Sequence, residues 1–339
     1  MNLGLVYLRA DVSKSLGLGH ISRAIAMAKA LERSGMQAVV FCRELDQDQG
    51  RAITKLNKHR NLIRKINVEE EFIAVLERKE GKYLFIDLLE GPEYAALVPR
   101  LKAVFPVFHT ICFDGFFEKE LKFDLFVRPL FDGTATAQNA LIGLKYYVFS
   151  EELRLLAPNK EAQKDVTRVL ITLGGSDPFC ATPAIVRALC GSFSNIQFTV
   201  VIGPGFGLDE HKELAALALQ YNNIRCVLEP EHLGHLYMTT DFAITSGGLT
   251  KFETALFGIP SLIFGNNRQE EDLSKEFAAL GASIFMGSAD QVHVIHLKEE
   301  FAHLISHGDR LDEMSRKGRQ ILDIHGGERV IEYIKHNLS

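Results

Sequence analysis

Short apolar runs alternate with longer amphipathic stretches along almost the whole chain. Leu3 to Leu8 reads as a buried strand. Ile21 to Arg33 puts Ile25, Ala28 and Leu31 near helical spacing, and Gly35 stops it. Gln37 to Cys42 is the next strand. Asn61 to Ile66, Tyr83 to Asp87, Val107 to Phe113 and Phe123 to Val127 follow, with helical patterns between most of them. A β-α-β rhythm of this kind predicts a parallel sheet covered by helices on both faces.

The rhythm weakens between Thr134 and Asp165, and Ser150 to Asp165 reads as a connection between two domains. A fresh series begins at Val166 to Leu173. Strands are predicted near Ile196–Ile202, Ile224–Leu228, Asp241–Thr245, Pro260–Phe264 and Ala282–Met286, and helices near Ala181–Cys190, Glu210–Gln220, Thr250–Phe257, Asp272–Leu280 and Lys298–Ser306. The tail from Leu311 to Asn337 is helical by pattern, interrupted at Gly326-Gly327. The expected domains are 1–150 and 166–339, each a doubly wound, Rossmann-like α/β unit. Two such sheets facing a central cleft would hold a ligand outside the carboxyl ends of their strands.

Composition changes this picture little. A chain of 339 residues with 47% hydrophobic and 24% charged positions is long enough for two packed cores and excludes global disorder. The net charge of -5 opposes a broad nucleic-acid-binding surface. Five cysteines, none in a C-x-x-C pair, show neither a zinc knuckle nor a disulfide framework, which fits a reducing compartment. Met1 to Tyr7 is too short an apolar run for a secretion signal, and no later run reaches a bilayer-spanning length. The expectation is a cytoplasmic protein with a small-molecule partner and no membrane insertion. The oligomeric state is left open.

Three glycine-rich turns carry the chemistry. The first, Arg9 to Arg23, includes Asp11, Gly17, Gly19 and His20 between a strand and a helix. Its glycines permit close approach of backbone to ligand, and a neutral His at such a turn suits a general base. It is not a dinucleotide fingerprint, since the third glycine is missing. The plainer reading is a tight turn with His20 as a cap; Asp11 and Arg23 beside it favour function. The second, Leu173 to Pro178, offers Gly174, Gly175, Ser176 and Asp177 to a diphosphate. Without the Lys-Ser/Thr of a P-loop it is no Walker ATPase. Asp177 also reads as an N-cap ahead of Pro178 at the first helical position. The third, Thr245 to Glu253, offers Ser246, Gly247, Gly248 and Thr250 to phosphate and the Glu253 carboxylate to vicinal ribose hydroxyls. The plainer reading pairs Glu253 with a local Lys or Arg. Gln269 and Glu270 follow another strand at a comparable position.

Other candidates read as structural. Asp87 and Asp114 end strands and divide evenly between turn formation and substrate contact. His232 with His235, and His293 with His296, lack further ligands for a zinc site. Glu69-Glu70-Glu71 complements a helix macrodipole. Phe116-Phe117 is core by default.

Taken in order, R-A-D-x-S-x-x-x-G-x-G-H-x-x-R (Arg9–Arg23), L-G-G-S-D-P (Leu173–Pro178) and S-G-G-L-T-K-F-E (Ser246–Glu253) resemble the UDP-sugar hydrolases of pseudaminic acid biosynthesis and the related spore-coat polysaccharide proteins. More distantly the chain is similar to the N-acetylglucosaminyltransferase of peptidoglycan precursor synthesis. The resemblance implies a GT-B fold with UDP held by the second domain. It implies that His20, with Asp11, acts near the anomeric carbon, and that Arg9, Gly17, Gly19, Arg23 and Asp87 lie on the sugar side with Gln269 and Glu270. It implies that Gly174, Gly175, Ser176 and Asp177 meet the diphosphate and that Glu253 holds the ribose. In such folds the C-terminal helix usually crosses back onto the first domain.

The chain departs from the hydrolase pattern in the first half. Asp87-Leu88-Leu89 lacks the Tyr of the family's Asp-x-Tyr, an Asp pair appears as Asp114-Gly115, and Arg128-Pro129-Leu130 replaces an Asn-rich loop. The intact Arg9-to-Arg23 motif makes hydrolysis of a UDP-sugar, with release of UDP, the main expectation, while the missing Tyr favours transfer. The alternatives are a glycosyltransferase using the same donor and a nucleotide-sugar-binding protein without turnover. No metal or other cofactor is expected, because no Asp-x-Asp pair lies where a divalent ion would bridge the diphosphate.

Overall fold

The computed structural model describes residues 4–12, 19–43, 62–129, 139–160, 165–230 and 232–338. The chain divides into two compact units, Met1–Glu151 with Ile324–Ser339, and Glu152–Asp323.

Among the described residues the first unit holds a seven-stranded sheet. Its strands are β1 (Leu5–Ala10), β2 (Gln37–Arg43), β3 (Ile63–Ile66), β4 (Gly81–Asp87), β5 (His109–Phe113), β6 (Leu125–Arg128) and β7 (Ala140–Ile142). The order is β3-β2-β1-β4-β5-β6-β7, with every pair parallel. Helices α1 (Gly19–Arg33), α2 (Glu69–Leu76) and α3 (Leu97–Val104) connect them. Alternate strand residues feed two cores. Val6, Leu8, Phe85 and Ile111 pack with Ala24, Met27 and Leu31 of α1. Tyr7, Phe41, Leu84 and Ile86 pack with Phe72 of α2 and Leu101 of α3. Each fully buried aliphatic or aromatic side chain of this kind contributes about 1.5–3 kcal/mol of transfer free energy. Helix Gly326–Asn337 places Val330, Ile331 and Ile334 in the α1 core. Gly326 and Gly327 begin that helix rather than interrupt it.

Helix α4 (Glu151–Leu156) begins at the boundary of the two units, within the stretch expected to connect them. Its Leu153 is buried, and that anchorage explains the order. The sheet of the second unit comprises β8 (Arg168–Thr172), β9 (Gln197–Ile202), β10 (Ile224–Leu228), β11 (Phe242–Ser246), β12 (Ser261–Gly265) and β13 (Ser283–Ser288). Its order is β10-β9-β8-β11-β12-β13, again parallel throughout. The helices are α5 (Ala181–Cys190), α6 (Leu208–Gln220), α7 (Gly234–Met238), α8 (Thr250–Leu256), α9 (Arg268–Ala279), α10 (Val294–Ile305) and α11 (Gly308–Ile321). Ile171, Val200, Ile244 and Leu262 meet Ile185 and Leu189 of α5 and Phe301 of α10 in one core. Strands so uniformly apolar are what burial on both sheet faces demands. No helix among the described residues is long and apolar enough to cross a membrane.

Candidate functional site

Each sheet has one point where strand order reverses, between β1 and β4 in the first unit and between β8 and β11 in the second. Open α/β sheets bind ligands at such points, outside the carboxyl ends of the strands.

In the first unit the register pairs Ala10 with Asp87, so the end of β1 and the end of β4 lie side by side. α1 begins at Gly19, which puts His20 in its first turn. His20 Nδ1 lies 2.7 Å from Asp87 Oδ1. Arg23, three residues on and so on the same helix face, donates from Nε to Asp87 Oδ2 at 2.7 Å and from Nη2 to Oδ1 at 2.6 Å. The same Nη2 is 2.6 Å from Asp114 Oδ2, and the guanidinium lies over the Phe113 ring. Burial alone would raise the Asp87 carboxyl; the Arg23 charge, with the hydrogen bonds from Arg23 and His20, overturns that and holds it at about 2. An ionised carboxylate only accepts, so a proton sits on His20 Nδ1, and in the neutral tautomer the lone pair lies at Nε2. His20 is half-buried. Asp114 has φ 66 and a buried Oδ1 without a partner.

Asp11 sits in a separate cluster. Arg9, fully buried, donates to both its oxygens, and Arg9 Nη2 also reaches Glu69 Oε1 at 2.8 Å. Tyr94 OH donates to Asp11 Oδ2 at 2.6 Å and the Arg43 N–H to Oδ1 at 2.7 Å. The partner of His20 is thus Asp87, and Asp11 ties the end of β1 to β2 and to Tyr94. Glu69, Glu70 and Glu71 do occupy the first turn of α2, with Glu69 also paired to Arg9. Phe116 is core, edge-on to Tyr94. Gly17 lies outside the described residues.

In the second unit Thr172 pairs with Thr245, so the second and third turns leave adjacent strands. Gly174 has φ +93, and a Cβ there would meet Ser246 Oγ at 3.4 Å; a Cβ on Gly248 would meet the same oxygen at 3.7 Å. A third loop joins them that the sequence reading did not single out: Gly203 to Gly207, after β9. A Cβ on Gly203 would collide with Gly175 O, and Gly205 N–H donates to that oxygen at 2.8 Å. Three glycines in five residues after a strand were a usable signal. The N–H groups of Gly175, Ser176 and Gly248 take no hydrogen-bond partner among the described residues. Gly247 N–H is spent on Phe264 O at 2.7 Å.

α5 starts at Ala181, not at Pro178, because Asp177 (φ 37) and Cys180 (φ 51) turn the chain before it. Asp177 still caps it, accepting from the N–H of Ala181 at 3.1 Å and Thr182 at 2.7 Å. Glu210, in the first turn of α6, is buried, and burial together with the nearby Asp177 raises its carboxyl. Glu253 pairs with the Tyr237 hydroxyl at 2.6 Å, not with a Lys or Arg. Burial raises its carboxyl, against the lowering by that hydrogen bond. Thr250 opens α8 and is half-buried, and Ser246 is buried. Glu270 completes a cap: Asn267 Oδ1 accepts its N–H at 2.9 Å, and its Oε2 accepts from Asn266 N–H at 3.1 Å. Gln269 is exposed. His232 lies beside Glu152, at 3.3 Å.

No family model matches the chain. It is 22% identical over 324 residues to the uncharacterized protein MJ1062 of Methanocaldococcus jannaschii, covering 88% of this chain and 62% of that protein. The chain therefore spans less than two thirds of that relative's length. It is 22% identical over 338 residues to the spore coat polysaccharide biosynthesis protein SpsG of Bacillus subtilis, covering 95% of each. Among solved structures it is similar to MurG of Acinetobacter baumannii, with TM-score 0.68, 16% identity and coverage of 98% and 99%. A putative UDP-N-acetylglucosamine 2-epimerase of Listeria monocytogenes follows at 0.67, 13% identity and coverage of 98% and 96%. S. aureus MnaA, in a co-structure with UDP, gives 0.64, 13% identity and coverage of 99% and 97%. The fold is accordingly the expected one, two doubly wound parallel-sheet α/β units of the GT-B type.

Proposed function

We propose that the protein is a glycosyltransferase that uses a UDP-sugar donor in the biosynthesis of a polysaccharide. The observation that carries a catalytic role is the His20–Asp87 pair. His20 Nε2 takes the proton of an acceptor hydroxyl as its oxygen bonds to the anomeric carbon and the bond to UDP breaks. Asp87 holds the ring by Nδ1 and stabilises the imidazolium that forms. Arg23 fixes Asp87, and Arg9 with Asp11 fixes the end of β1.

For UDP, the support is the convergence of the second turn, the third turn and the Gly203–Gly207 loop in the second unit. The N–H groups of Gly175, Ser176 and Gly248 would receive phosphate oxygens, with Gly174 and Gly247 keeping the turns tight and Asp177 anchoring the second. Ser246 and Thr250 would add hydroxyl donors and Glu253 would receive ribose hydroxyls. Gln269, exposed beyond the Glu270 cap, would meet the sugar. The names of the relatives agree: one is a polysaccharide biosynthesis protein and one structure holds UDP. The residues need no metal for these contacts, since backbone donors carry the phosphate charge.

A second reading, hydrolysis of the donor, is favoured by the intact Arg9-to-Arg23 motif; water would then replace the hydroxyl. Incubation with a panel of UDP-sugars, with and without acceptors, separates the readings by following free UDP. Release only with an acceptor supports transfer, and release without one supports hydrolysis. UDP binding without release in either arm would leave a binding role alone, and absence of UDP binding would remove the proposal. His20→Ala should abolish release while leaving UDP affinity intact.

A further inference from the structure

Lys251 is a lysine with almost no access to water, 1% exposed, on the second residue of α8. Its ammonium donates to Gly247 O, inside the third turn, and lies 4.8 Å over the Phe252 ring. An ammonium has three donors, and among the described residues the acceptor this one meets is Gly247 O, with no carboxylate in an ion pair with it. Glu270 on α9 is the charged group acting on it from a neighbouring element, and the Glu270 Oε2 is already held by Asn266 N–H. A buried positive charge balanced only by a carboxylate outside ion-pair distance is costly. Charges of this kind persist where an anion completes them.

We infer that Lys251 is the positioning residue that makes the third turn select a diphosphate, its buried charge being neutralised by the ligand. The inference rests on the UDP reading above. Gly247 O relays the orientation: the ammonium pins that carbonyl, and with it the peptide whose N–H belongs to Gly248. In the low-dielectric interior the charge acts on an anion at the turn with little screening. A diphosphate carries more charge than a monophosphate and gains more from it.

The free protein should then hold Lys251 incompletely protonated at mildly alkaline pH, since burial lowers it to about 8 against the raising effect of Glu270. Binding an anion restores the proton. At pH 8 the terminal phosphate of UDP is already ionised, its last pKa being about 6, so uptake reports the protein.

The test is isothermal titration of UDP and UMP into the full chain at pH 8, in two buffers of different ionisation enthalpy. Wild type should take up about half a proton with UDP. Lys251→Met should take up none and lose about tenfold in UDP affinity but only about threefold for UMP. If wild type binds UDP without proton uptake, or the variant keeps the wild-type ratio of UDP to UMP affinity, the role of Lys251 is overturned and the nucleotide reading stands. If wild type binds neither nucleotide, the nucleotide reading itself fails. Should the variant not fold, proton uptake by wild type decides alone.

Discussion

His20 and Asp87 are 67 residues apart in the chain, and His20 Nδ1 lies 2.7 Å from Asp87 Oδ1. The register of β1 against β4 makes the pair, since Ala10 and Asp87 are directly opposed where strand order reverses. Because Arg23 keeps Asp87 ionised, the pair admits one neutral tautomer of His20. The imidazole is thereby prepared to accept a proton at Nε2 before any substrate arrives.

Asp87→Asn should lower turnover by about 10³-fold with UDP affinity nearly unchanged. An amide can present its NH₂ to Nδ1 and stabilise the wrong tautomer, which is the effect of this substitution in hydrolase triads. The variant should also lose about 3 kcal/mol of stability, since Arg23 would keep only Asp114 as a counter-ion. UDP release and a urea melt on the same preparation check both. Full turnover would remove the dyad from the mechanism.

Much of this was legible in the chain, and the limit has a physical cause. Apolar runs and glycine punctuation reflect local rules, so β4, β10, α5 and the three turns could be placed within a few residues. Pairings across the sheet depend on register, which no local pattern encodes. Asp87 therefore shows no partner in the sequence, and the family resemblance places Asp11, rather than Asp87, with His20. Tyr237 was missed for the same reason: it reaches Glu253 from α7. The Gly203–Gly207 loop carries a local glycine signal of the same kind as the other turns. α4 was read as a linker because its six residues alternate charge and leucine too briefly to show a period.

Tyr94→Phe should destabilise the first unit by about 2 kcal/mol. The hydroxyl donates at 2.6 Å to Asp11 Oδ2, and both residues are buried. Removing one partner of a charge-assisted bond inside a core costs more than an exposed bond would. Asp11→Asn should cost more, about 3 kcal/mol, because Arg9 then keeps only Glu69. Denaturant midpoints compared with wild type test the order. Equal stability of all three proteins would mean the cluster holds nothing together.

Lys251→Met should raise stability at pH 7 while weakening UDP binding. The folded-state value of about 8 lies below the ordinary 10.5, so the unfolded chain binds this proton more tightly. Wild-type stability therefore falls as pH drops from 10.5 through about 8 and stays reduced below. That displacement corresponds to about 3 kcal/mol. Loss of the bond to Gly247 O offsets about 1 kcal/mol of it, which leaves a net gain of about 2 kcal/mol. A thermal melt at pH 7 is sufficient, and a lower melting temperature for the variant would contradict the buried-charge account.

Glu210 imposes the opposite slope in a different window. Burial and the neighbouring Asp177 raise its carboxyl from 4.5 to about 7, against the lowering by the Gly207 backbone. A carboxyl raised in the folded state contributes stability that is complete below 4.5 and is lost as pH rises through about 7. Glu210→Gln cannot ionise, so the decline in melting temperature that Glu210 causes between pH 5 and pH 8 should be missing, and the variant should lie above wild type at pH 8. The Glu210 and Lys251 windows do not overlap. Wild type, relative to the two variants together, should therefore pass through a stability minimum between about pH 7 and 8, with the acid limb absent in Glu210→Gln and the alkaline limb absent in Lys251→Met. Asp177 caps α5 and Lys251 pins Gly247, so the minimum belongs to the two turns proposed to hold the diphosphate. Saturating UDP should then lift the melting temperature most near that minimum, where Lys251 gains its counter-ion. An equal lift by UDP at every pH would separate the ligand from both groups.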